Sequence, residues 1–139
     1  MPQLDNPKIN IKIQLAGLWA SLMSLYIYAD YFQFFTPGHI GDMMAGKVIL
    51  DTPSKLFAAS ILMAVPALMI ALSLLLPAPI SRWVNIITAA FYTGLLLLIG
   101  ISSSGEWMLF YIFYAFLESL VTAIIVWKAW KWPLVQTHA

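Results

Sequence analysis

The chain has 139 residues, of which 62% are hydrophobic and 9% charged, and its formal net charge is +1. A soluble domain carries about 25% charged residues, so this composition cannot make a water-facing surface, and a bilayer is the solvent that fits it. The small net charge argues against a nucleic-acid partner, and the absence of cysteine excludes disulfides, thiolate metal sites and thiol redox chemistry.

The first apolar segment runs from about Ile13 to Phe35, behind Lys8 and Lys12. It is too long for the apolar region of a signal peptide, and no small-residue cleavage site follows, so it reads as a spanning helix. The connector over residues 36–52 contains Pro37, Gly38, Gly41, Gly46 and two aspartates. Its apolar residues Ile40, Met43, Met44, Val48 and Ile49 predict contact with lipid or with the helix ends. The glycines favour a collapsed loop there, with a short amphipathic helix near Gly41–Lys47 as the alternative. A second helix is predicted from about Pro53 to Leu76, ended by Pro77 and Pro79. A third follows from about Ser81 to Ile101, and the run Ser102-Ser103-Ser104-Gly105 breaks it. The fourth spans about Glu106 to Trp127 and leads into a basic, aromatic tail. Each segment reaches the roughly 20 residues needed to cross the hydrocarbon core, and none alternates with period two as a membrane barrel would. The expected fold is an all-α antiparallel four-helix transmembrane bundle, one membrane domain over residues 1–139.

Basic residues set the expected orientation. Lys8, Lys12, Arg82, Lys128 and Lys131 fall on one side, and Lys47 and Lys55 on the other. Both termini are therefore expected in the cytoplasm and the 36–52 loop outside. Trp83, Trp107, Trp127, Trp130 and Trp132 lie at segment ends, as an aromatic belt requires. Close backbone approach replaces the hydrophobic drive between helices in lipid, so small residues should mark the contacts. Gly17, Ser21 and Ser24 form such a stripe on the first helix, and Ala64, Ala67 and Ala71 on the second. Ala90 with Gly94, and Ala115 with Ser119 and Ala123, do so on the third and fourth.

Polar residues at depth are the functional candidates. Glu118 lies twelve residues past Glu106, roughly 18 Å inside the segment at about 1.5 Å per residue. A carboxylate at that depth is costly, which marks a functional candidate and favours the neutral, hydrogen-bonding acid. Ser21 and Tyr92 are expected at a similar level. Pro66 removes one helical donor and frees the carbonyl of Leu62, and a protonated Glu118 could donate to that carbonyl, to Ser21 or to Tyr92. The alternative is an interhelical hydrogen bond that only ties the bundle together. Asp30 lies about 7–8 Å inside the outer end of the first helix, among Tyr26, Tyr28 and Tyr31. Lys55 begins the second helix on the same side and is expected to pair with it, and Tyr111 and Tyr114 approach the same layer. Asp30 reads either as an interfacial carboxylate or, with Tyr28, Tyr111 and Lys55, as part of a polar pocket open to the outside. Trp19, Met23, Tyr26 and Asp30 share one face of the first helix, and Gly17, Ser21, Ser24 and Tyr28 share the opposite one. Sequence leaves open which of the two lines the bundle. Asn85 is expected to hydrogen-bond near the inner interface, with a ligand role as the other reading. His39 and His138 have no histidine partner within a helix, so neither bis-histidine haem nor a metal site is expected. No phosphate loop and no nucleophile–base set is visible.

The runs Leu18-Trp19-Ala20-Ser21-Leu22-Met23, Tyr26-Ile27-Tyr28-Ala29-Asp30-Tyr31 and Thr36-Pro37-Gly38-His39 carry a resemblance, as do Val65-Pro66-Ala67-Leu68-Met69 and Arg82-Trp83-Val84-Asn85-Ile86. Together they resemble a family of small bacterial four-helix integral membrane proteins of unknown function. The resemblance implies a multi-pass protein of the bacterial inner membrane and carries over no activity. From the residues, the leading expectation is a non-enzymatic protein that binds a lipid or small apolar ligand between its helices, as a homo-oligomer or beside a partner membrane protein. The alternatives are a subunit of a proton- or cation-coupled transporter or channel using Glu118 and Asp30, and a scaffold for a larger membrane complex. No cofactor is expected.

Overall fold

The structure is a computed structural model and describes residues 3–134; His138 lies outside that range. The described residues are all-helical, without strands: α1 (Ile11–Gln33), α2 (His39–Met44), α3 (Pro53–Leu75), α4 (Ala78–Ser102), a 3₁₀ turn at Glu106–Met108, and α5 (Leu109–Trp130).

Local chemistry sets the boundaries. The Asn10 side chain accepts from the Lys12 amide at 2.9 Å and starts α1 two residues before the expected Ile13. Thr52 accepts from the Lys55 amide at 3.3 Å, and Pro53 opens α3, where a missing N–H costs nothing. The same reasoning corrects the α4 boundary. Pro79, expected to act as a stop, sits in the first turn of a helix that already begins at Ala78. The fourth apolar segment enters through the 3₁₀ turn and continues to Trp130, three residues beyond the expected end. In the connector, the collapsed loop gives way to the alternative: α2 forms at His39–Met44, entered through the left-handed Gly38. Glycine is the residue that makes this entry cheap.

Three helical stretches are long and apolar enough to cross a membrane: Pro53–Leu75, Ala78–Ser102 and Glu106–Trp130. α1 is as long as α3, but Gln14, Ser21, Ser24, Asp30 and its three tyrosines dilute its hydropathy. The expectation of four such segments is therefore met by three. Polarity is inverted relative to a water-soluble bundle. Ser73, Ser81, Asn85 and Thr122 are fully buried, while Phe57, Leu68, Ile87, Leu98 and Phe116 stand on the outer surface. Lipid tolerates that outer surface, and the buried polar groups are bonded inside.

The core joins Leu15, Trp19, Leu22 and Tyr26 of α1 to Met69 of α3, Ile86, Ala89, Tyr92 and Leu96 of α4, and Ile125 and Ala129 of α5. The face of α1 that lines the bundle is therefore the one with Trp19, Met23 and Tyr26. The opposite face, with Gly17, Ser21, Ser24 and Tyr28, is exposed. Most of the expected small-residue contacts are also displaced. Ala64, Ala67, Ala71, Ala90 and Gly94 are exposed, and only Ala115 and Ser119 of α5 face inward. Ala115 meets Gly100, where an added Cβ would come within 3.4 Å. Elsewhere large side chains fill the interior and leave the small ones on the outer surface. Small residues permit close backbone approach without requiring it.

One end of the molecule is basic. The Lys12 ammonium donates to the carbonyls of Leu74 and Leu76 at 3.3 and 2.6 Å, so the start of α1 lies beside the end of α3. Lys128 donates to Gln14 at 2.7 Å. Arg82 donates to the Trp130 carbonyl at 3.1 Å, with its guanidinium carbon 5.7 and 6.0 Å from the Trp83 and Trp130 rings. Two cations thus serve the carbonyl-rich ends of α3 and α5, where the helix dipole favours positive charge.

Candidate functional site

Asparagine can both donate and accept twice, and Asn85 uses that capacity in full. Its Oδ1 accepts from Trp19 Nε1 at 2.7 Å and from Ser73 at 3.0 Å. Its amide nitrogen donates to the Ser81 carbonyl at 2.8 Å and, more weakly, to the Ser81 hydroxyl at 3.4 Å. Ser81 in turn donates to the Ser73 carbonyl at 3.2 Å. This closed network ties α1, α3 and α4 together near the basic end and has no spare group for a ligand. Pro66 frees the Leu62 carbonyl as its sequence position demands, but the donor is the Tyr92 hydroxyl in place of the expected Glu118, whose Oε1 has no partner. Thr93 and Thr122, 2.7 Å apart, join α4 to α5.

The other half of the molecule contains a different arrangement. A cavity of about 200 Å³ lies among all four long helices. Tyr26, Ala29 and Asp30 of α1 form one wall, and Tyr111, Tyr114, Ala115 and Glu118 of α5 face them. Ala59 and Met63 of α3 and Leu96 and Ile99 of α4 complete the sides, and Leu50 reaches in from the connector. Asp30 and Leu50 are exposed, whereas Tyr26 and Glu118 are 6% and 4% exposed, so the first pair marks the mouth and the second the interior. Glu118 Oε1 and the Tyr26 hydroxyl are both buried without a hydrogen-bond partner. A third such atom, Arg82 Nε, lies at the opposite end. The lining contains two carboxylates, three phenols and no basic side chain, and is otherwise apolar.

Of the candidates read from sequence, Glu118, Asp30, Tyr111 and Tyr114 meet in this cavity. The others lie elsewhere. Ser21 is exposed and donates to the Gly17 carbonyl one turn back, a bond that lets a helical serine satisfy itself anywhere. Tyr28 stands two positions from Asp30, on the opposite side of α1, where it stacks on Phe32 at 6.4 Å. Lys55 pairs with Asp51 at 2.7 Å, in place of the expected Asp30, because the i,i+4 spacing brings Asp51 within reach of a helix start. Tyr92 spends its hydrogen on Leu62, and Asn85 belongs to the closed network. Tyr26 was absent from the sequence candidates. Its signal was the four-residue step to Asp30, which puts both side chains on one face. No cluster of three or more metal-ligating side chains occurs among the described residues.

The model of a family of unknown function, DUF6326, matches residues 6–137, nearly the whole chain. No curated protein matches it, and neither does any solved structure.

Proposed function

The chain belongs to this family, and we propose that it is an integral membrane protein that binds a lipid or a small, mostly apolar ligand with one polar end between its helices. One observation carries this reading: Glu118 and Tyr26 both line a mostly apolar cavity, and each holds a buried polar atom without a partner, Glu118 Oε1 and the Tyr26 hydroxyl. An unsatisfied buried polar group costs about 1–3 kcal/mol. A ligand that brings a complementary polar group removes that cost at both atoms. The volume limits what fits. A dry cavity of about 150 Å³ accepts benzene, and drug-sized ligands take pockets of about 300–1,000 Å³. About 200 Å³ therefore suits a ring-sized body with a short arm, or the polar end and first carbons of a single-chain amphiphile.

On this reading α1, α3, α4 and α5 all span the bilayer as an antiparallel bundle, with both termini in the cytoplasm. Support comes from the basic end, where the start of α1, the start of α4 and the end of α5 carry Lys12, Arg82 and Lys128. The cavity then opens toward the outer side, and the outward stripes of α3 and α4 face lipid or a second copy. Native mass spectrometry of protein extracted in mild detergent is the test. Wild type is expected to retain a small ligand that Ala59→Phe, which fills the cavity from α3, does not retain. Equal retention by both would count against binding at this place.

A further inference from the structure

We propose that the ligand of this cavity is an organic amine bound as its ammonium ion, with the nitrogen between Glu118 and Tyr26 and the apolar body toward Met63 and Leu96. The inference deepens the cavity-binding reading and rests on it. Glu118 and Tyr26 both line the cavity; among the described residues Glu118 Oε1 and the Tyr26 hydroxyl are buried without partners, and both can accept a hydrogen bond. A ligand end made of N–H donors meets both. A carboxylate or phosphate end could take the phenol's hydrogen, but it would bring acceptors and negative charge to the Glu118 carboxylate.

Charge points the same way. Asp30 stands at the mouth and Glu118 inside, and no Lys, Arg or His lines the cavity. The nearby Lys55 is held by Asp51 outside it. An anion would therefore enter against two carboxylates with no cation to receive it. An ammonium passes Asp30 and forms a neutral pair with the Glu118 carboxylate, which removes the cost of a lone charge at depth. Tyr26, Tyr111 and Tyr114 add the electron-rich faces that attract ammonium groups. For a bare metal ion, which takes several oxygen ligands, the lining offers two carboxylates and no third strong ligand among the described residues. A neutral hydrocarbon would leave both polar atoms as they are.

The test uses an isosteric pair on the full-length protein in lipid nanodiscs, with empty nanodiscs subtracted. The probe is radiolabelled 2-phenylethylamine, and the competitor is propylbenzene, in which a methyl group replaces the ammonium. Saturable amine binding is expected, with propylbenzene competing about tenfold or more weakly. Glu118→Gln, which keeps the size, should lower amine affinity by about tenfold or more while propylbenzene affinity holds. Tyr26→Phe should lower it by a smaller factor. If propylbenzene competes as well as unlabelled amine, the amine assignment is overturned and cavity binding stands. Unchanged amine affinity in both variants has the same meaning. Saturable binding of neither compound overturns both readings. The wild-type comparison needs no variant, so it remains decisive if Glu118→Gln fails to fold.

Discussion

Tyr92 on α4 donates its phenolic hydrogen to the carbonyl of Leu62 on α3, the carbonyl that Pro66 leaves without a helical donor. A proline in a spanning helix thus creates an acceptor, and a neighbouring helix uses it. α3 and α4 pack against each other far less than α4 and α5 do, so this bond is one of the few ties between them, beside those of Ser73 to Asn85 and Ser81. Tyr92→Phe should destabilise the protein by about 0.5–2 kcal/mol, the range for interhelical hydrogen bonds in membranes. Pro66→Ala restores the helical donor, so Tyr92→Phe should cost less in that background. A double-mutant cycle on unfolding in mixed micelles reads the coupling. Additive losses would mean that the phenol is not satisfying the carbonyl that proline frees.

The second prediction concerns α1, the one long helix not apolar enough to be counted as a span by composition. If α1 crosses the bilayer with the other three, both termini lie on one side. If it does not, the N-terminus and the connector share a side. The chain contains no cysteine, so single cysteines report cleanly. Asp5→Cys is expected to be protected from an impermeant maleimide in intact cells, and Lys47→Cys labelled. Labelling at both positions would place α1 on the membrane surface and remove the four-span reading.

How much of this was legible beforehand depended on whether a residue's partner was local or distant. Glu118 stood out because a carboxyl group in the middle of an apolar helix has few places to go. Asp30 and Tyr26 shared a face by simple four-residue spacing. Lys55 was misassigned because a local carboxylate, Asp51, lies within reach and needs no tertiary fold to find it. Ser21 was misread because its hydroxyl bonds its own helix, so polarity at depth did not imply an inward position. The small-residue stripes of α3 and α4 pointed to the wrong faces because glycine and alanine sit as cheaply against lipid as against a helix. The choice between the two faces of α1 lay with Trp19, whose indole N–H needs a buried acceptor that Asn85 supplies from another helix.

The Asp51–Lys55 pair leads to a third, deliberately small effect. Both side chains are about half exposed, at 39% and 54%, and exposed i,i+4 pairs contribute only about 0.3–0.5 kcal/mol. Lys55→Gln should therefore change unfolding stability by no more than about that amount. It should also leave amine binding in the Asp30–Glu118 cavity unchanged, because the lysine is occupied outside it. A loss of binding with Lys55→Gln would show that the lysine reaches Asp30 in the membrane.

The final prediction concerns Asn85, whose four hydrogen-bonding positions are all in use between Trp19, Ser73 and Ser81. The site is fully buried, so no water replaces what a substitution removes. Asn85→Leu is close to isosteric and fills the space, yet it leaves the Trp19 N–H without its acceptor and the Ser73 hydroxyl without its partner. Each orphaned buried group costs about 1–3 kcal/mol, so this single change should rank among the most damaging in the chain. Trp19→Phe in the same background removes one of the orphans, and part of the loss should be recovered. Asn85→Asp, entering as the neutral acid, keeps the acceptor for Trp19 and Ser73 and offers Ser81 one O–H donor in place of the two amide hydrogens, so it should fall between wild type and Asn85→Leu. Ser24→Ala is the control, an exposed serine bonded only to the Ala20 carbonyl of its own helix, and should be close to neutral. Unfolding in mixed micelles, followed by the near-ultraviolet circular dichroism of the aromatic side chains together, measures all of these. If Asn85→Leu is as well tolerated as Ser24→Ala, the network is not what joins α1, α3 and α4. The packing of Trp19 against Tyr92, edge to face at 6.3 Å, would then carry that junction instead.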